Sequence, residues 1–219
     1  KKNFRIPLDN PKLWSPSDPF LYDFTLKLIR DGITIDSVSS YFGMRKISVE
    51  EDKNNVKRFY LNNKPIFMMG LLDQGFWPEG LYTAPSDEAL KSDIIRAKSM
   101  GYNALRKHVK VEPERWYYHC DKLGMLVWQD MPNSDKHAEW EPPSGKDHQE
   151  IERSFASESQ YKIEFEAIYE ANKNHPSIVA WVPFIVYAVR FYLAANFPQM
   201  SILAPTHATF REFFDWQSI

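Results

Sequence analysis

Cysteine is almost missing from these 219 residues: Cys120 stands alone, so no internal disulfide can staple the chain. An excess of one charge is missing too. The 27 Lys and Arg against 29 Asp and Glu leave a formal charge of -2 and no basic stripe, which argues against nucleic acid as a partner. No apolar run approaches the roughly 18 residues a membrane-spanning helix needs, and no apolar leader follows Lys1-Lys2-Asn3-Phe4. The six histidines are scattered, and none belongs to an HExxH or a Cys/His ligand pattern. No metal and no other cofactor is therefore expected.

Aromatic residues are plentiful, with 7 Trp, 11 Tyr and 15 Phe. Such side chains build cores, and they also build platforms on which sugar rings stack. The first fifty residues read as β. Phe20–Ile29 mixes alternation with aromatic and β-branched residues, Asp31-Gly32 is a turn signal, and Ile33–Met44 reads as a second strand. Two or three strands cannot close a sandwich of about seven. The polar run Val49–Lys57 reads as a linker or a hairpin tip.

From Phe59 the rhythm changes. An apolar run follows the turn signal Asn62-Asn63 and ends at Gly70. Ser86 then suits a helix N-cap, Leu90, Ile94 and Ala97 share one face, and Gly101 suits the stop. YNALRK is a second short run. Glu112–Gly124 carries Pro113 near a first turn and Gly124 as a stop. Cys120 falls on this helix as a buried structural thiol. MLVWQDMP is a third run, Asp147–Asn172 a long charged helix, and IVAWVPF a fourth run. Four runs alternating with three helices describe a parallel sheet. Doubly wound sheets and (β/α)8 barrels both begin this way. MMGLLDQGFWPEG holds neither GxGxxG nor a Walker pattern, which favours the barrel. Barrel sites sit at the C-terminal strand ends. Those ends offer Asp73, Gln74 and Trp77, then Arg106 and His108, then Trp128, Gln129 and Asp130. Carboxylates, an arginine, a histidine and indoles suit sugar hydroxyls and sugar faces. Each also has a plainer reading: Arg106–Asp130 as a structural ion pair, Asp73 as a turn cap, Trp128 as packing, His108 as a surface histidine.

These segments carry a resemblance. LWSPSDPFLYDFTLKL and YFGMRKI resemble the closing strands of the immunoglobulin-like sandwich of glycoside hydrolase family 2, the β-galactosidases, β-glucuronidases and β-mannosidases. FYLNNKPIFMMGLLDQG and MGYNALRKH resemble its first two barrel strands. YYHCDKLGMLVWQDMP resembles the helix and third strand, and NKNHPSIVAWVPF the approach to the fourth. The resemblance implies the end of a sandwich over residues 1–50, the first half of a (β/α)8 barrel over 57–184, and a tail over 185–219 outside the family pattern. It implies retaining hydrolysis of β-glycosides by two carboxylates about 5–5.5 Å apart. The acid/base belongs to an Asn-Glu pair directly after the fourth-strand motif, where this chain has Ile185 and Val186. The nucleophile belongs to a later strand with no counterpart here. Asp73, Arg106 and Asp130 match pocket-lining positions. The resemblance thus implies a glycosidase chain without its catalytic pair; the alternative is a non-catalytic carbohydrate-binding protein that uses the residual barrel mouth.

After Phe184 the resemblance stops at one point rather than fading. A shifted reading frame, a misjoined reading or a truncated gene would each produce such a break. If the frame has shifted, reading the gene in the other frames beyond codon 184 restores Asn-Glu and later barrel strands. Their absence from every frame rejects a simple frameshift.

Overall fold

The computed structural model describes residues 5–132 and 154–183. Strands β1 (Tyr22–Arg30) and β2 (Ile33–Phe42) pair antiparallel from Tyr22↔Phe42 to Arg30↔Ile33. Asp31 and Gly32 turn between them with φ of 51° and 77°, the left-handed pair that a two-residue hairpin loop requires. Leu26, Leu28, Ile33 and Val38 remain more than half exposed.

Strand β3 (Ile47–Glu51) pairs antiparallel with β4 (Lys57–Leu61), which pairs with the short β5 (Lys64–Pro65). Of the two readings of Val49–Lys57, the hairpin tip is the one observed: the run ends β3, turns through residues 52–56 and starts β4. Asn62 and Asn63 form the next turn, both at positive φ. The first parallel strand is β6 (Gly70–Asp73). It begins where the apolar run ends, because Pro65–Met69 leads up to the barrel rather than crossing it.

The parallel sheet comprises β6, β7 (Ala104–Lys107), β8 (Leu126–Asp130) and β9 (Ile178–Val182), in that order. Sequential order with every pair parallel is the pattern of a barrel, not of a doubly wound sheet, whose order reverses. Helix α1 (Asp87–Ser99) starts at Ser86, whose hydroxyl accepts from the Ala89 N–H, and buries Leu90, Ile94 and Ala97. Helix α2 (Glu114–Leu123) follows Pro113 and ends at Gly124, whose φ of 72° suits glycine. Helix α3 (Phe155–Asn172) is capped by Ser154; the Asp147–Arg153 part of the expected helix lies outside the described residues.

Two cores lie on opposite faces of the sheet. Leu105, Val127 and Ile178 face the helices and pack with Ile94, Trp116 and Phe165. Ala104, Leu126 and Val179 face the other way and pack with Leu61 and Trp14. Trp14 is wholly buried, and its indole N–H donates to the Asp121 carbonyl at 2.8 Å. Burying an indole of this kind contributes roughly 4–6 kcal/mol of transfer free energy. Helices on one face and a plugged floor on the other make this the first half of a (β/α)8 barrel.

A buried carboxylate locks the floor. Asp121 accepts from the Ser177 N–H at 2.9 Å and the Tyr41 hydroxyl at 2.8 Å, and His175 Nδ1 lies 2.6 Å away. Burial, with Asp121 beside it, raises the pKa of the Tyr41 phenol. One side chain thus joins β2, α2 and the turn into β9, the turn for which His175-Pro176 is the sequence signal. Arg45 adds bonds to the Pro176 and Ile178 carbonyls at 3.0 and 2.5 Å. Asp121→Ala orphans several buried donors and is expected to cost about 3–5 kcal/mol, against about 1 kcal/mol for Tyr41→Phe. Urea unfolding measures both, and equal losses would contradict the central place of Asp121.

Candidate functional site

Parallel register decides which side chains meet. Leu72 pairs with Arg106 and Asp73 with Lys107; Arg106 pairs with Trp128 and Lys107 with Gln129. Neighbours in register share a face, and successive residues alternate. Arg106, Trp128 and Asp130 therefore follow Ala104 and Leu126 onto the inner face. Asp73, Lys107 and Gln129 follow Leu105 and Val127 toward the helices.

On the inner face, Arg106 Nε donates to both Asp130 oxygens, at 2.9 and 3.1 Å. Asp130 is fully buried and the Arg106 side chain is 30 % exposed. This is the ion pair between neighbouring strand ends that the residue types suggest, and among the described residues only the Arg106 Nε–H takes part in it. Burial pushes the Asp130 carboxyl upward, while Arg106, His108 and the Val109 N–H pull the other way. Val109 holds φ at 50°, a costly region for a β-branched residue, on the order of 1–3 kcal/mol. Gln74 Nε2 lies 3.1 Å from His108 Nδ1. Trp128 packs 5.9 Å from the Phe59 ring and gives its N–H to Met68 Sδ at 3.0 Å, so it braces the floor.

Asp73 is placed differently. Its Oδ1 accepts from the Gly75 N–H at 2.9 Å, and its Oδ2 from Lys107 Nζ at 2.6 Å. It caps a turn and neutralises a buried lysine. Lys107 is 1 % exposed, also donates to Glu112 at 2.8 Å, and sits 4.3 Å over the Trp116 ring. Lys110 pairs with Glu112 at 3.0 Å and donates to the Gly75 and Tyr82 carbonyls. Gly75 has φ of 66°, and a Cβ there would lie 2.4 Å from Glu112 Oε1, so the turn needs glycine. The Tyr117 hydroxyl donates to Gln129 Oε1, whose amide donates to the Lys110 and Asp130 carbonyls. Lys107, Lys110, Glu112 and Tyr117 do not stand out from residue type alone. The signal is parity: in Leu105-Arg106-Lys107 the lysine follows Leu105 onto the helix face, where a charge requires partners.

Trp77 lies outside the mouth and packs against the helix-side core. Cys120 is fully buried, and burial raises the pKa of its thiol, which leaves it inert as a nucleophile. A groove of about 400 Å³ runs along β6 beside α1, lined by Leu72, Gln74, Phe76, Asp93, Arg96 and Met100 among others. No cluster of His, Cys, Asp and Glu able to hold a metal occurs among the described residues. No helix among them is long and apolar enough to cross a membrane.

The family model "Glycosyl hydrolases family 2, TIM barrel domain" matches residues 53–183. This chain belongs to family 2 of the glycosyl hydrolases. A second model, "Glycosyl hydrolases family 2", matches residues 1–45. The β-galactosidase of Lactococcus lactis subsp. lactis is 31% identical over 177 residues, covering 80% of this chain and 16% of that protein. The apo structure of β-glucuronidase 3 from Bacteroides uniformis superposes with a TM-score of 0.64 at 25% identity, over 80% of this chain and 20% of that one. A β-glycosidase from Bacteroides vulgatus shares the fold, with a TM-score of 0.69 at 22% identity over 89% of this chain and 24% of that one. The chain thus spans a fifth or less of the first two. In family 2 terms, β1–β2 are closing strands of the immunoglobulin-like sandwich, and β6–β9 are the opening strands of the barrel. Positions 185 and 186, where the resemblance expects Asn-Glu, lie outside the described residues, as does the tail over 185–219.

A carboxyl with a raised pKa binds its proton more tightly folded than unfolded. Its ionisation lowers stability as pH rises from the ordinary carboxylate value through the raised one, and the effect is constant above that. Asp130→Asn is expected to remove this part of the slope. Urea unfolding across a pH series compares the two proteins, and identical slopes would show that Asp130 is not the group responsible.

Proposed function

We propose that this chain is part of a retaining β-glycosidase: it lines a sugar pocket with Arg106 and Asp130 and does not itself cleave the bond. Family 2 membership and the β-galactosidase and β-glucuronidase names of its relatives support a β-glycoside as the ligand class. The observation that carries the pocket is the Arg106–Asp130 pair on the inner face at adjacent strand ends, partly exposed on the arginine side. Its remaining N–H donors suit sugar hydroxyls, and Gln74 and His108 extend the same polar mouth. Incompetence in catalysis follows from Ile185 and Val186, which carry no proton-transferring group where the acid/base glutamate is expected. On this reading residues 1–50 close a sandwich domain, residues 57–184 form the pocket half of the barrel, and 185–219 belong to neither.

The test pairs turnover with binding. The chain is assayed with aryl β-galactoside and β-glucuronide, and ligand-observed NMR follows galactose and glucuronate. No hydrolysis is expected, with saturation transfer to one sugar that Arg106→Ala abolishes. Hydrolysis above the buffer rate overturns catalytic incompetence. Absence of binding, or binding that Arg106→Ala leaves intact, overturns the pocket.

A further inference from the structure

Gln74 and His108 each follow one half of an ion pair. Asp73 and Lys107 are register partners across β6 and β7, and their side chains meet at 2.6 Å on the helix face. The next residue of each strand turns back to the other face. Gln74 and His108 consequently lie side by side, and the His108 N–H donates to the Asp73 carbonyl at 2.9 Å. With the Gln74 amide in this orientation, its Nε2 donates to His108 Nδ1 and the ring proton lies on Nε2. The pair then offers one donor, His108 Nε2–H, and one acceptor, Gln74 Oε1. A pair of adjacent hydroxyls on a pyranose ring presents the complementary set.

Behind this pair, Lys107 joins Asp73 of β6 to Glu112 of the loop after β7. Glu112 is 3 % exposed, Lys107 1 %. Lys107, Lys110, Asp73 and Glu112 form a balanced four-charge set, and it ties the loop after β6 to Lys110 of the loop after β7: Asp73 accepts from the Gly75 N–H, and Lys110 donates to the Gly75 and Tyr82 carbonyls. We propose that Lys107 is a positioning residue, whose buried ion pairs to Asp73 and Glu112 hold Gln74 and His108 together as a hydroxyl-reading pair beside Arg106. The hydroxyl-reading role rests on the sugar-pocket reading above; the positioning role does not.

The test reads His108 directly, in the full chain with ¹⁵N-labelled histidine. In the wild type above neutral pH, the His108 ring is expected in the Nε2–H form, with its amide protected from exchange about as well as the amides of β7. Lys107→Met/Glu112→Gln removes one charge of each sign and keeps the set balanced. It is expected to shift the ring toward the tautomer mixture of a free imidazole and to lower His108 amide protection at least tenfold. Gln74→Leu is expected to change the ring signal and spare the amide. Lys107→Arg keeps the charge and is expected to retain the wild-type ring signal better than the double variant. A folded double variant with an unchanged His108 ring and amide overturns the proposal. Should the double variant not fold, the wild type decides: a His108 amide exchanging at the free-chain rate while β7 stays protected overturns it equally. Sugar binding takes no part in this readout, so an empty pocket would sink the functional reading and leave the positioning role standing.

Discussion

Alternation along a strand buried on both sides governs this molecule. In β7, Ala104 and Arg106 face the barrel interior while Leu105 and Lys107 face the helices. Parallel register carries the same division to β6 and β8, so one strand's parity sets the environment of every residue at the mouth. A slip of one residue would bury Arg106 among apolar helix residues and turn Lys107 away from both of its carboxylates.

The division explains why two ion pairs so close in sequence have different characters. Arg106–Asp130 joins a partly exposed guanidinium to a buried carboxylate, an arrangement that a ligand can share. Lys107–Glu112 is enclosed, and its charges are shared with Asp73 and Lys110. Buried pairs of this kind add little net stability compared with apolar packing, yet removing one partner is costly. Their effect is geometric. They prescribe how the loops after β6 and β7 lie against each other, and the strained Val109 sits within that prescribed path.

At the other end of the sheet, Asp121 performs the corresponding task for the floor. It gathers Tyr41, Ser177 and His175 from three distant parts of the chain, while Trp14 fills the space beneath the strands. The hairpin β1–β2, by contrast, leaves apolar side chains exposed. The sheet is therefore anchored below by a packed, hydrogen-bonded plug and organised above by paired charges. The proposed sugar pocket lies at the end where polarity, not packing, dominates.

Much of this was legible in the residues alone. Caps at Ser86 and Gly124, the turns at Asp31-Gly32 and Asn62-Asn63, and the alternation of apolar runs with helices are local signals with local physical causes, and each lies where those signals put it. Gln74, Arg106, His108 and Asp130 likewise lie at the C-terminal strand ends where the alternation of runs and helices puts them. Tertiary structure alone decided that Asp73 faces the helices, that Trp128 braces the floor, and that Lys107, Lys110 and Glu112 form a buried set. The reason is that residue type and spacing state what a side chain can do, whereas its partners depend on strand register and on which face a parity selects. Both are properties of the assembled sheet, and no single segment of the chain contains them.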